Sequence, residues 1–347
     1  MKSEWRHGYL YGSSERSESV RDSVHGQFDF ALLSSSWDKR CLSVIEADKL
    51  RATRCIVFLP SLRDDLGLRD RHDPLLVQFA DSIGTCQELR GNSSDIEGLW
   101  NALADRVDAM RKTLARPLRI FIDLSTCPRF LSLGLLSHTL LSGVAHEITV
   151  YYAEGRYPEE QREEDQHELF TAGGWNVLPV AKLEGEWNPD KRRAYLVSVG
   201  FEGSKTLRLV SREEPDEVSL LFPDPGVKDE YVKRAWERNR ALIERFRIPE
   251  TKIIRSNAGD AIDAWKQLDL AALDLPDEQN VYYICCGTKA HSLALALRAV
   301  VLRYPALLYI VPDRHRVLNV EPLGVYWRYD LKDMSSLSNE DIVDQAV

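Results

Sequence analysis

A glycine, a hydroxyl and a cation stand together at Gly287, Thr288 and Lys289, after the apolar run 281–286 and directly ahead of a helical pattern. A strand-to-helix corner of this kind leaves backbone N–H groups free, so these residue types suit an anion. Three other corners have similar makings: SSSWDK at 34–39, STCPR at 125–129 and GFEGSK at 200–205. Together they supply hydroxyls at Ser34, Ser35, Ser36, Ser125, Thr126, Ser204 and Thr288. Cations stand at Lys39, Arg129, Lys205 and Lys289, and anions at Asp38, Asp123 and Glu202. That mixture fits a nucleotide, with side chains on sugar and base and backbone N–H groups on phosphate. Gly200, Gly203 and Gly287 would let the backbone approach it.

Two chemistries are open to these residues. In a binding module they only hold the nucleotide. In an enzyme that cleaves one, Lys289, Lys205 or Arg129 would stabilise developing charge, while Glu202, Asp38 or His291 would move the proton. A scaffold that has lost its ligand is the third possibility. Each residue also has a plain structural reading: Thr288 as an N-cap, Pro128 as a first-turn proline, His291 as a packed histidine. Against that, Lys289 and Arg129 are cations at helix starts, where the macrodipole disfavours them unless something negative lies near. GFEGSK is no Walker loop, because only two residues lie between its glycines and Ser204 precedes the lysine. Cys285 and Cys286 alternate on a strand and are expected not to line one site together.

The elements that carry these corners occur twice. LRIFIDLSTCPRFLSLGLLSHTLLSGVAHEITVYY (118–152) matches the 281–311 region, with Ile122 against Ile284 at an offset of 284 − 122 = 162. VFLPS against LLFPD gives 163, and LRGNSSDIEGLW against IRSNAGDAIDAW gives 165. In that last pair Arg90, Asn92, Asp95 and Trp100 equal Arg255, Asn257, Asp260 and Trp265. FDFALLSSSWDK against AYLVSVGFEGSK gives 166, and the last strands give 159. Five segments in one order imply a tandem duplication. Strands such as CIVFLP, RIFIDL, VSLLFP and VYYICC show no alternation, so they are expected to be buried on both faces of a parallel sheet. The fold class is therefore α/β: two tandem Rossmann-like domains with mainly parallel sheets. Each copy is expected to run strand, helix, strand, helix, helix, strand, helix, strand. The expected division is a flexible segment 1–26, domain 1 at 27–153, a charged arm 154–193 packed on domain 1 as an arm or lid, domain 2 at 194–333, and an acidic tail 334–347 with one short helix from about Ser338.

A net charge of −9 argues against a broad grip on duplex nucleic acid, though not against a local basic pocket. No apolar run of membrane-spanning length and no signal-peptide pattern is present, so a cytoplasmic location without membrane attachment is expected. The six cysteines lack CxxC spacing and read as reduced core residues; neither a metal nor a cofactor is expected.

A Rossmann-like unit with a polar corner after its first strand (GFEGSK) and a Gly-Thr-Lys corner after a later one (CCGTKAH) resembles the CRISPR-associated Rossmann fold (CARF) family of prokaryotic defence systems. The resemblance covers most of the chain by architecture and a few residues by motif. It implies sensing of a cyclic oligonucleotide or related nucleotide messenger, commonly as a dimer with the ligand across the two-fold axis. The first copy would use SSSWDK and DLSTCPR, without Gly-Thr-Lys. No nuclease, protease or DNA-binding effector is fused, so the resemblance implies an effector partner or ring-nuclease-like cleavage of the messenger. Two sensor-like units in one chain could form a pseudo-dimer with its own crevice, and a homodimer is a further possibility.

Overall fold

The computed structural model describes residues 2–61, 66–92, 95–157, 171–271, 279–318 and 320–335. The chain opens with strands β1 (Lys2–His7) and β2 (Leu10–Ser17) and the short helix α1 (Val20–Ser23). The first copy follows as β3 (His25–Ser34), a 3₁₀ segment Lys39–Glu46, β4 (Lys49–Pro60), α2 (Leu68–Ile83), β5 (Thr85–Gly91), α3 (Ile96–Leu114), β6 (Leu118–Asp123), α4 (Arg129–Leu141) and β7 (Ala145–Arg156). After β8 (Thr171–Pro179) comes the second copy: β9 (Arg192–Ser198), α5 (Gly203–Glu213), β10 (Glu217–Pro223), α6 (Asp229–Phe246), β11 (Ile253–Ser256), α7 (Ala261–Leu270), β12 (Gln279–Cys285), α8 (Lys289–Leu302) and β13 (Ala306–His315). Strand β14 (Glu321–Asp333) closes the described chain apart from its last two residues.

Both copies build one parallel sheet of the same topology, β7-β6-β3-β4-β5 in the first and β13-β12-β9-β10-β11 in the second. The fold is thus two Rossmann-like α/β units from an internal duplication. Unbroken apolar strands sit at the sheet centres, where helices cover both faces: Phe30, Leu32, Ile120, Ile122, Leu196 and Ile284 are all buried. Each copy has one strand more than the sequence pattern suggests. The extra strands, β5 and β11, are short edge strands, and β5 (TCQELRG) is too polar to announce itself. In the first copy a 3₁₀ segment replaces the helix that follows the first strand in the second.

Three stretches sit elsewhere than expected. Residues 2–17, expected to be flexible, form a hairpin on the edge of the first sheet. Alternation explains it: in KSEWRH every second side chain faces away from water, as on a half-exposed antiparallel strand. The arm, expected on domain 1, gives β8 to the second sheet, antiparallel to β13, while Ala181 O just beyond it accepts from Ser137 Oγ of α4 at 2.6 Å. Strand β14, expected to end domain 2, lies in the first sheet between β2 and β7. Each sheet is therefore completed by chain from outside its own copy. The tail helix expected from Ser338 and residues 158–170 of the arm fall outside the described residues.

The helices α3, α4, α7 and α8 lie between the two sheets, and one apolar core runs through Leu131, Leu135, Leu293, Ala294 and Trp265 without a break. Two of the four identical pairs of the repeat are explained here. Asp95 and Asp260 are the N-caps of α3 and α7, accepting from Gly98 N, and from Ile262 N and Asp263 N. Trp100 packs on Gly134 of α4, and Trp265 is fully buried in the shared core. Helix α4 packs on α8, and this contact places the carboxyl ends of the two sheets over a common space.

Candidate functional site

A cavity of about 350 Å³ opens between the copies, at the carboxyl ends of β3, β6, β9 and β12, where parallel sheets place ligands. All four polar corners reach it. Ser36, Trp37 and Asp38 come from the first, Ser125, Thr126 and Arg129 from the second. Gly200, Phe201, Glu202 and Lys205 come from the third, and Gly287, Thr288 and Lys289 from the fourth. The corners converge because β3 lies beside β6 and β9 beside β12.

The first corners of the two copies are built alike. Asp38 and Glu202 are both the N-cap residue of the following helical segment, and each is preceded by an aromatic, Trp37 or Phe201. Their offset is 202 − 38 = 164, two less than the 166 of the sequence alignment. Each acid holds a cation. The Arg40 Nε donates to both Asp38 oxygens at 3.0 Å, and Lys205 Nζ lies 3.5 Å from Glu202 Oε1. Arg40, Asp38 and Lys205 are buried, so neither pair is a surface ornament.

The helix-opening cations cross between copies. Arg129 Nε donates to Ser292 Oγ at 3.0 Å and its Nη2 to Gly287 O at 2.7 Å. Lys289 Nζ donates back to Leu124 O at 2.9 Å and Cys127 O at 2.6 Å. This reciprocal exchange answers the macrodipole objection: each cation leans off its own helix start onto carbonyl oxygens of the opposite corner. Lys289 is removed from water deeply enough that burial pushes its ammonium down to about 7.

The hydroxyls and glycines mostly shape the corners. Thr126 Oγ1 donates to Ser34 O at 2.8 Å, Ser125 Oγ accepts from Ala153 N at 2.9 Å, and Thr288 Oγ1 accepts from His291 N at 3.1 Å as the cap of α8. Gly287 N, expected to be free for an anion, donates to Ser198 Oγ at 3.1 Å.

Some candidates lie off the cavity. Ser34 and Ser35 are buried beneath it, and Ser35 Oγ donates to Asp73. Gly203 packs α5 on α6, where a side chain would strike the Arg238 carbonyl, and Ser204 does not line the cavity. Asp123 is buried behind Ser125, and burial raises its carboxyl to about 6. His291 is fully buried, with Nε2 between Ser256 Oγ at 3.0 Å and Asn257 O at 3.2 Å; burial lowers it to about 4. It cannot reach a ligand as a general acid or base. Conversely, both Cys285 and Cys286 line the cavity, because alternation ends with the strand at Cys285 and the chain then turns.

The residues that the motifs missed come from the outer walls. Tyr157, Phe201 and Tyr231 pack edge-to-face, with centroids 5.5 to 5.7 Å apart, and Trp37 meets His315 at 5.8 Å. Glu154 lies near the end of β7 and Tyr157 directly after it, and Arg316, Leu318 and Val320 lie in the connection to β14. The run YYAEGRY at the end of an apolar strand was a usable signal; the connection to β14 carried none.

Among the described residues, no group of His, Cys, Asp and Glu is placed to hold a metal ion, and no helix is long and apolar enough to cross a membrane. All six cysteines are free thiols. No protein-family model and no curated protein matches the chain. Among solved structures, the cytoplasmic domain of a prokaryotic cation chloride cotransporter aligns over 83% of this chain and 96% of that one, at 9% identity and a TM-score of 0.24. A universal stress protein from Archaeoglobus fulgidus aligns over 86% and 99%, at 10% identity and a TM-score of 0.18. Likenesses this loose leave function to be argued from the cavity itself.

Proposed function

We propose that the chain is a nucleotide-binding sensor whose cavity between the two copies takes a phosphate-bearing ligand. The observation that carries the reading is the crossed pair: Arg129 and Lys289 stand on the cavity and at the same time tie each copy to the other. An anion that engages either cation competes with those carbonyl bonds and so favours a different relation between the copies, which is the requirement for a ligand to act as a signal. Arg40, Lys205 and Arg316 add positive charge, and Trp37, Phe201, Tyr157 and Tyr231 supply faces for bases. The resemblance to CARF proteins extends the proposal to a cyclic oligonucleotide or related messenger in prokaryotic antiviral defence, sensed on behalf of an effector partner. In this reading one chain is a complete sensor, where a two-fold dimer would otherwise be needed.

The test is a thermal-shift panel on the full chain with mono-, di- and cyclic oligonucleotides, followed by chromatography of each ligand after incubation. Stabilisation with intact ligand, one per chain by titration calorimetry, is the expected result. Breakdown of the ligand would replace the sensor with an enzyme, and no shift with any nucleotide would remove the proposal.

A further inference from the structure

Glu154 stands out among the acids of the cavity. Asp38 is held by Arg40 and Glu202 by Lys205. Glu154, at 7% exposure, receives one bond: Trp327 Nε1 donates to its Oε1 at 2.7 Å. It makes no other hydrogen bond or ion pair among the described residues, and it lines the cavity. A buried carboxylate with a single donor is costly, and the chain surrounds this one with structure that keeps it there. Trp327 is carried in by β14, the strand that the end of the chain lends to the first sheet. Residue 259 is a glycine at the spot where a side chain would strike both Glu154 and Trp327.

A carboxylate only accepts, so what meets its second oxygen must be a donor, and a phosphate is excluded. Resting on the nucleotide reading above, we infer that Glu154 is a specificity-determining residue that accepts a hydrogen bond from the 2′-hydroxyl of the ligand's ribose or from the exocyclic amine of its base. The cations hold the phosphate; Glu154 checks the nucleoside attached to it.

The test uses titration calorimetry with AMP, GMP, cyclic di-AMP and cyclic di-GMP on the wild-type chain, Glu154→Gln and Glu154→Asp. The tightest binder is then repeated in its 2′-deoxy form and with its exocyclic amine removed (inosine for guanosine, purine riboside for adenosine). Glu154→Gln keeps shape and one acceptor but loses the charge, and melting without ligand confirms that each variant is folded. We expect an affinity loss of about tenfold or more in Glu154→Gln. That loss disappears for whichever analogue lacks the donor, so the 2′-deoxy and deamino arms tell ribose from base. An equal loss for parent and both analogues, or no loss, overturns the role of Glu154 while leaving the nucleotide site standing. If the wild-type chain binds none of the four probes and no nucleotide of the thermal-shift panel, the site reading falls and this inference falls with it.

Discussion

The two copies share a skeleton but not a chemistry. In the first, Arg40 grips Asp38 through its guanidinium and α4 starts at Pro128 without a side-chain cap. In the second, Lys205 stands off from Glu202 at 3.5 Å and α8 is capped by Thr288. Yet each sends its helix-opening cation into the other. Positions that set the geometry are kept, and cavity-facing pairs such as Trp37/Phe201, Asp38/Glu202 and Arg129/Lys289 are alike in kind but not in identity, so the pocket is two-fold in frame and unequal in detail.

The largest expected difference lies in the frame. Trp265 is sealed in the shared core, while Trp100, at the same place in the repeat, is only half-buried. Trp265→Ala should cost about 3–5 kcal/mol of unfolding free energy, and Trp100→Ala clearly less. Urea denaturation of both variants measures this; equal costs would mean that the two helices are used alike. Next comes the acid pair. Arg40→Met leaves Asp38, at 8% exposure, buried without its cation and should cost about 3 kcal/mol. Lys205→Met should cost less, because the Glu202 side chain is 20% exposed and water can relieve it. The reverse order of denaturation midpoints would show that the longer pair is the stronger.

How much of this was legible in the sequence follows from the same contrast. The parallel strands and the duplication were readable because burial on both faces forces unbroken apolar runs, and because Asp95, Asp260, Trp100 and Trp265 are fixed by caps and core. The four corners were readable from glycine, hydroxyl and cation types. What Lys289 and Gly287 do with their hydrogen atoms was not, since both are satisfied by residues far away in sequence: Leu124, Cys127 and Ser198. The exchange of β8 and β14 between sheets was hidden for the same reason. A strand's own pattern says which faces are wet, and says nothing about which sheet it joins.

A smaller effect separates the two crossing cations. Burial pushes the Lys289 ammonium down to about 7, so its charge is the one of the pair that pH can move. Between about 7 and 10.5 the unfolded chain binds that proton more firmly than the folded one, so ligand-free stability should rise with pH across this window. Anion affinity should move the opposite way, because above 7 the ammonium must be reformed on binding. With a phosphodiester ligand, which does not itself titrate there, affinity is expected to fall as pH goes from 6.5 to 8.5. Lys289→Arg should flatten that profile, and Lys289→Ala should weaken binding by about 1–3 kcal/mol at pH 6.5. A flat wild-type profile would take the lysine's charge out of recognition.

The smallest effect concerns how the helices begin. Thr288 Oγ1 accepts from His291 N, so Thr288→Ala should lower stability by about 1 kcal/mol and Thr288→Ser should retain most of it. Helix α4 lacks that bond because Pro128 has no hydroxyl, and Pro128→Ser would supply one. The gain should be small, since proline already restricts the unfolded chain and serine releases it, and the two changes act in opposite directions. Denaturation midpoints therefore give a graded comparison: a clear loss for Thr288→Ala beside near-neutrality for Pro128→Ser means that the copies have reached the same helix start by different physics. A clear gain for Pro128→Ser would mean that the first copy left stability unused at this helix start.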